Sequence, residues 1–286
     1  MTVKAQLFEI RQNMQNDTFE IFHYRDENLP SVGLHHHDFY EVYFLIRGKV
    51  RYRVEGRTYE LEPGDILLMN PQELHQAEVE KGASYERLVL WINRSYIESL
   101  GGNLDACFDI DRPGHVNLLK PDKLQRSNLQ EMLDKIRKEV KSSSFGHDTY
   151  AKGLLMLFLV EINRLADKTE SYVPNPEDEE DLLSRVLSYI AAHYQEKLTL
   201  DMLSQEFYVS KYYLSHEFTE RVGTSVYRYI IFRRLMQAKE MMESGLAPGE
   251  VYQACGFGDY ANFFRAFKSE YGISPKDYYA EVTKRI

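Results

Sequence analysis

The sequence predicts an α+β multidomain fold: an N-terminal β-barrel followed by helices, then an all-α C-terminal segment built as a double helix-turn-helix. Three observations predict it. Residues Phe19 to about Arg94 break into short β-rich runs at spacings near ten residues. After Lys120 the apolar residues switch to helical spacing. Finally, Ser210, Leu214, Phe218, Gly223, Ser225 and Tyr229 recur 49 positions later as Asp259, Phe263, Phe267, Gly272, Ser274 and Tyr278.

The β-segment is punctuated by turns. Tyr40–Ile46 is dense in aromatic and β-branched residues and ends in Arg47-Gly48-Lys49. Val50–Val54 alternates, Glu55-Gly56-Arg57 turns, and Thr58–Leu61 alternates again. Pro63-Gly64-Asp65 makes a third turn before Ile66–Met69. This first domain is expected over residues 1–120.

Pro121-Asp122 can open a helix carrying Leu129, Leu133, Ile136 and Val140 at helical spacing. A second helix is expected from Asp148 to Asp167, with Tyr150, Leu154, Leu155, Phe158, Ile162 and Leu165. Its apolar arc is wider than one covered face needs, so part of it is a candidate surface for a second subunit, and residues 121–168 read as a dimerisation segment. The run KTESYVPNPEDEED is acidic and twice interrupted by proline, which marks an interdomain linker at 169–181. The remainder, 182–286, reads as helices only. One spans Asp181–Tyr194. Thr199, Ser210 and Asp259 cap three others, Thr224 or Ser225 opens a long one ending near Ser244, and Pro248 suits the first turn of another that ends at Gly256.

Charge is distributed unevenly. From Asp181 onward 13 Lys/Arg face 13 Asp/Glu, so the other 22 of 35 basic and 31 of 44 acidic residues, and the whole net charge of −9, precede Asp181. Any affinity of the C-terminal segment for a polyanion must therefore come from where its cations point. The first residues, MTVKAQLFEIRQNM, have no apolar run of signal-peptide length, and LLMLFLV is too short to span a bilayer. Cys107 and Cys255 fit no disulfide or metal spacing and read as two small buried hydrophobes. A cytoplasmic protein with no membrane partner is expected.

The duplicated pattern has a geometric meaning. Each copy is a polar cap, two apolar residues at helical spacing, and a glycine stop. Leu200–Glu206 followed by Ser210–Val222 is one helix-turn-helix, and Glu250–Cys255 followed by Asp259–Tyr271 is the other. The helix between them, about 20 residues, spans roughly 30 Å, close to the ~34 Å between successive major-groove faces on one side of DNA. Double-stranded DNA is the ligand whose own repeat suits such a pair.

The stretches L-T-L-D-M-L-S, S-K-Y-Y-L-S-H-E-F, G-T-S-V-Y-R-Y-I and G-F-G-D-Y-A-N-F-F-R-A-F-K-S-E-Y-G-I-S-P-K-D-Y resemble the AraC/XylS family of transcription regulators. The resemblance covers about 100 C-terminal residues firmly and the first 165 more loosely. Two positions depart from it: Tyr252 where the family usually has alanine, and Pro248 where it usually has an aliphatic residue. The resemblance implies base or nearby phosphate contacts at Tyr212, Ser215 and His216 and at Ala261, Asn262 and Arg265. By donor geometry Arg265 suits guanine O6/N7 and Asn262 suits adenine. Lys211 and Lys268 are expected on phosphates. His216 stands where arginine is common, which implies a weaker, mildly pH-sensitive contact. Tyr213 or Leu214, with Phe218, Phe263, Phe264 and Phe267, should face inward, and at least one of Arg233 and Arg234 should pair internally with a carboxylate. The family also implies an effector-responsive homodimer, more often an activator that engages RNA polymerase than a repressor.

In the first domain His35-His36-His37, Glu41 and Gly48 make H-x-H-x3-E-x6-G, and on one strand His35, His37, Phe39 and Glu41 would point the same way. With His75 they resemble the cupin barrel, whose metal-binding members use these positions. The second half of that pattern is imperfect, since Pro71 to His75 is one residue short of P-x-G-x-x-H and lacks its glycine. The effector-binding set expected here is Tyr24, His35, His37, Glu41, His75 and Trp91, with the lone tryptophan a platform for a sugar ring. No cofactor is expected, although His35, His37, Glu41 and His75 are the candidate metal ligands. The reading is a regulator and not an enzyme. A metal-dependent cupin enzyme with a DNA-binding appendage is the alternative, separated by metal content and turnover.

Overall fold

The computed structural model describes residues 14–27, 32–79, 82, 84–110, 112, 115–169 and 182–283. Residues 170–181 of the linker expected at 169–181, and residues 1–13, lie outside the described residues. The chain divides into two compact units, Met1–Pro174 and Asn175–Ile286.

Among the described residues the first unit holds nine strands: β1 Phe19–Asp26, β2 Val32–His35, β3 Phe39–Arg47, β4 Val50–Val54, β5 Arg57–Leu61, β6 Ile66–Met69, β7 His75–Val79, β8 Tyr85–Asn93 and β9 Leu118–Leu119. They form two antiparallel sheets, ordered β1-β8-β3-β6-β9 and β2-β7-β4-β5. Alternation assigns the two faces of the first sheet. Tyr85, Val89 and Trp91 of β8 join Tyr43 and Leu45 of β3 and Tyr52 and Val54 of β4 in the core between the sheets. Leu88, Leu90 and Ile92 of β8 and Val42 and Phe44 of β3 point the other way, into a core shared with helices. Because β3 is covered on both faces, Phe39–Leu45 is buried throughout, which is why it is apolar or aromatic at every position but Glu41.

The covering helices are α1 Arg94–Leu100, then α2 Lys123–Val140 and α3 His147–Lys168 after a 3-10 turn at Ala106–Phe108. Asp122 caps α2 through the backbone N–H groups of Leu124 and Gln125, and the Gln125 side chain accepts from the Asp122 N–H, a complete capping box. Leu129, Leu133 and Ile136 of α2 and Leu155, Phe158 and Ile162 of α3 fill the second core. The outer expected positions differ. Val140 and Tyr150 are exposed near helix ends, Phe145 in the turn between α2 and α3, and Leu157 on the outer side of α3.

The second unit is helical: α4 Leu182–His193, α5 Leu200–Glu206, α6 Lys211–Val222, α7 Val226–Glu243, α8 Pro248–Ala254, α9 Tyr260–Tyr271 and α10 Pro275–Thr283. The duplication is carried into backbone detail. Ser210 and Asp259 cap α6 and α9 through the N–H groups of Tyr213 and Asn262. Gly223 and Gly272 end the same helices at φ 82° and 73°. Phe218 meets Tyr229 at 5.5 Å between ring centroids, and Phe267 meets Tyr278 at 5.6 Å. The copies differ at one turn. The positive-φ residue after the first helix is Tyr208 in one copy and Gly256 in the other, 48 positions apart, whereas the caps that follow are 49 apart, so the second turn is one residue longer. Among the described residues no helix is long and apolar enough to cross a membrane, and both cysteines are unpaired and buried.

Candidate functional site

Two groups of residues carry the chemistry, one in each unit. In the second unit, burial separates the inner and outer faces of α6 and α9. Leu214, Phe218, Phe263 and Phe267 are buried, Phe264 is half-buried, and Tyr213, one of the two inward candidates on α6, is half exposed. Lys211, Tyr212 and His216 of α6 and Ala261, Asn262, Arg265 and Lys268 of α9 are exposed, and Ser215 is half-buried. The outer faces are already organised by local contacts. Lys211 pairs with Asp201 of α5 across the first turn. Tyr212 stacks on His216 at 6.2 Å between ring centroids, and His216 Nδ1 lies 3.6 Å from Glu220. Arg265 donates to the Asn262 side-chain oxygen, and the Asn262 amide donates to Asp259. These pairs are solvent-exposed and individually weak, so a phosphate or a base edge competes with them at little cost.

Two sequence details resolve here. Tyr252 turns its ring edge to Tyr260 at 5.6 Å and packs against the core of α8, α9 and α7, so the larger side chain is absorbed at the rim of the second helix-turn-helix. Arg234 donates to the backbone carbonyls of Tyr194 and Glu196 at 2.7 and 2.6 Å, so of the two arginines this one is held by main-chain acceptors. The carbonyls left at the end of α4 supply acceptors that the sequence pattern does not display.

In the first unit the histidine cluster is assembled differently from the single strand expected. His35 ends β2 in the second sheet, His37 lies in the connection, and Glu41 is on β3 in the first sheet. They converge because the chain passes from one sheet to the other between them, and His75, opening β7, pairs in register with His35. The His35 and His75 rings are 4.3 Å apart, and the His37 and His75 rings 4.8 Å apart. All three histidines place Nδ1 against a backbone carbonyl, of Gly33 (2.8 Å), Phe39 (2.9 Å) and Glu73 (3.0 Å) respectively. A carbonyl can only accept, so Nδ1 carries the proton in each.

Glu41 is buried and accepts from Trp91 Nε1 at 2.8 Å. Burial pushes its carboxyl upward, but His37, His35 and the Trp91 bond outweigh that and hold it below the ordinary range. Burial and the neighbouring imidazoles push His75 well below the usual histidine value, and burial lowers His35. Trp91 is 4% exposed, its ring packed against Phe22 (4.7 Å) and Phe39 (4.5 Å), so it meets this cluster through its N–H and not through an open face. Tyr24 is buried on β1, with the Arg87 guanidinium 4.9 Å above its ring. It sits on the same inner face of the barrel, opposite Arg87 in the β1–β8 register.

Two buried polar groups escaped sequence reading. Arg87 pairs with Asp26 at 2.7 Å, and both are nearly inaccessible. Glu73 accepts from the Asn70 N–H (2.8 Å) and the Asn117 amide (2.8 and 3.0 Å), and Tyr59 donates to Asn117. Burial lifts Glu73 to about 7. The only sequence signal was an acidic residue inside the N-P-Q-E-L-H turn, and Asn117, 44 residues away, gave none.

A two-sheet barrel carrying a buried polar cluster, and a separate paired helix-turn-helix module, define a transcription regulator with a ligand-binding domain. Comparison with known proteins agrees. A family described as an AraC-like ligand binding domain matches residues 20–159, and one described as a helix-turn-helix domain matches residues 203–281. The chain belongs to the AraC family of DNA-binding transcriptional regulators. The HTH-type transcriptional regulator YbfI of Bacillus subtilis (strain 168) is 29% identical over 228 residues, 79% of this chain and 78% of its own length. The HTH-type transcriptional activator RhaS of Enterobacter sp. (strain 638) is 21% identical over 259 residues, 88% of this chain and 90% of its own. Among solved structures, ToxT from Vibrio cholerae covers 92% of this chain and 98% of its own at 16% identity, with a TM-score of 0.40. These relatives are named as regulators, and the enzyme alternative has no support among them.

Proposed function

We propose that this chain is a cytoplasmic, effector-responsive transcription activator that works as a homodimer, with α6 and α9 of each subunit in consecutive major grooves on one side of the duplex. The observation that carries the proposal is the repeated helix itself: two equally capped helices, each with a buried apolar face and an exposed polar one. The spacer α7 has 18 residues, or about 27 Å, against a groove repeat of ~34 Å. Tyr212, Ser215 and His216, with Ala261, Asn262 and Arg265, are the proposed base-proximal residues, and Lys211 and Lys268 the phosphate contacts. RhaS, named an activator, supports the sign of regulation, and with it RNA polymerase as a partner.

The effector is a small polar molecule held at the His35, His37, Glu41, His75, Trp91 and Tyr24 side of the barrel interior. A carbohydrate is the class we favour, since hydroxyls match imidazole and carboxylate groups as donors and acceptors. Exposed Tyr150 and Leu157 on α3 are the proposed subunit contact.

Selection of bound duplexes from a random pool, with and without candidate sugars, tests the reading. The expected product is a pair of short motifs one helical turn apart within each half-site. Enrichment of a single isolated motif per subunit would show that only one of the two helices reads DNA. No response of binding to any sugar would remove the carbohydrate class.

A further inference from the structure

We propose that Tyr208, in the turn of the first helix-turn-helix, donates its hydroxyl to a phosphate of the DNA backbone. The contact lies outside the residues named above. It rests on the regulator reading, and the experiment below separates the failure of one from the failure of the other.

Tyr208 follows the end of α5 in a left-handed conformation, φ +54°. Its N–H donates to the Gln205 carbonyl (3.3 Å), and the Val209 N–H donates to the Ser204 carbonyl (3.0 Å). This pair of bonds ends a helix at a position usually held by glycine, because a Cβ is strained there. The second copy builds the same turn with glycine. Gly256, at φ +79°, donates to Gln253 (2.9 Å), and Phe257 donates to Tyr252 (3.0 Å). The turn therefore forms without a side chain, and a bulky one strains it.

Nothing within the fold offsets that strain. Tyr208 is 95% exposed, and its side chain makes no hydrogen bond or ring contact among the described residues. In the second copy a Cβ would lie 2.5 Å from the Gln195 carbonyl oxygen, whereas in the first the side chain opens onto solvent. A strained residue that packs against nothing points to a role outside the chain.

Its position selects the partner. Tyr208 lies just ahead of Ser210, the cap of α6, whose first exposed residues are Lys211 and Tyr212. In a helix-turn-helix the first helix crosses the DNA backbone, and the first residues of the second meet the base edges. The turn between them then lies beside the rim of the groove, where the phosphates run. A phenol supplies a rigid ring for reach and an O–H donor for a phosphate oxygen. Such a bond fixes register and orientation without reading sequence. Only the first copy carries it, so the two copies grip the backbone unequally.

The test uses the full chain, a duplex selected from a random pool, and a random duplex of equal length. Affinities are measured by fluorescence anisotropy across a salt series. Tyr208→Phe removes the hydroxyl and keeps the ring, and Tyr208→Gly installs the residue of the second copy. Both should weaken binding to both duplexes alike, by roughly five- to twentyfold. The salt slope should not change, because a neutral donor releases no counterion, whereas Lys211→Ala should make it shallower by about one. Selected duplexes that each carry one uncharged methylphosphonate locate the partner. At one position the parent should lose as much as Tyr208→Phe does, and the two losses should not add. Both substitutions change an exposed side chain, and circular dichroism checks that the fold persists.

Variants that bind as tightly as the parent overturn the proposal, and so does a loss confined to the selected duplex. Full additivity at every substituted phosphate does the same. Lost transcription activation in Tyr208→Phe with DNA affinity intact would place the partner on a protein and also overturn it. A parent that binds no duplex sinks the regulator reading and this contact together, while a parent matched by its variants sinks the contact alone.

Discussion

Arg265 donates to the side-chain oxygen of Asn262, one helical turn away on α9, and Asn262 is tied in turn to its cap residue Asp259. The two side chains best suited to guanine and adenine therefore hold each other before DNA arrives. Reading a base means exchanging that bond for one to a base edge, so the two contributions are coupled. Arg265→Ala should lower specific affinity by about 1–3 kcal/mol and relax preference at one base position. Asn262→Ala added to it should cost less than it does alone. Titration of single-base variants of a selected duplex measures both. Unchanged base preference in Arg265→Ala would remove Arg265 from direct reading.

Lys268 differs from Arg265 in having a compact, hydrated charge that recognises phosphate without sequence information. Lys268→Ala should weaken binding to all duplexes alike, with a salt slope shallower by about one. The measurement is the affinity for specific and random duplexes across a salt series. A loss confined to the specific duplex would contradict the phosphate role.

The sequence displayed most of the helical unit and less of the barrel site, for a physical reason. Helix caps, glycine stops and 3.6-residue spacing are local, so Ser210, Asp259, Gly223 and Gly272 announced their roles directly. The helix α10, opening at Pro275, was not separated from the end of the second copy, although Ser274 places its hydroxyl against the Asp277 N–H as a cap would. In the barrel, the turns at Gly48, Gly56 and Gly64 placed β3 to β6. The short β2 and the connection through His37 were merged with β3, because two sheets meeting at a corner leave no periodicity to read. Convergence of His35, His37, Glu41 and His75, and the buried pairs Asp26–Arg87 and Glu73–Asn117, arise from contacts between distant segments. No pattern along the chain encodes them.

Gly256 is held at φ +79°, and a Cβ there would lie 2.5 Å from the carbonyl oxygen of Gln195. Backbone cannot give way as a flexible side chain can, so conformational strain and a clash add together. Gly256→Ala should destabilise the DNA-binding unit by about 2 kcal/mol or more. Tyr208, its counterpart in the first helix-turn-helix, has φ +54° and is almost fully exposed. Tyr208→Gly should therefore stay within about 1 kcal/mol of the parent, because relief of strain offsets added chain entropy. Urea unfolding of the two variants followed by circular dichroism compares them. Equal effects would mean that the approach to Gln195 does not constrain the turn.

His115 is the clearest source of acid sensitivity. Its ring is nearly buried, 3.9 Å from Glu73, and burial, followed by the charge of Arg57, lowers it to about 4. The unfolded chain takes up a proton near 6.5, while the folded chain does not until about 4. Stability from this group is thus fully present above 6.5 and is lost as pH falls through the interval down to 4, at about 1.4 kcal/mol per unit. Glu73 acts with the opposite sign. Lifted to about 7, it favours the folded state most below 4.5 and loses that contribution as pH rises toward and past 7. His115→Gln should leave stability near pH 7.5 within about 1 kcal/mol of the parent and remove roughly 2–3 kcal/mol of the loss between pH 6.5 and 4. Urea midpoints measured at half-unit steps of pH for parent and variant give the difference directly. Parallel curves across that interval would show that the imidazole is not the group being protonated.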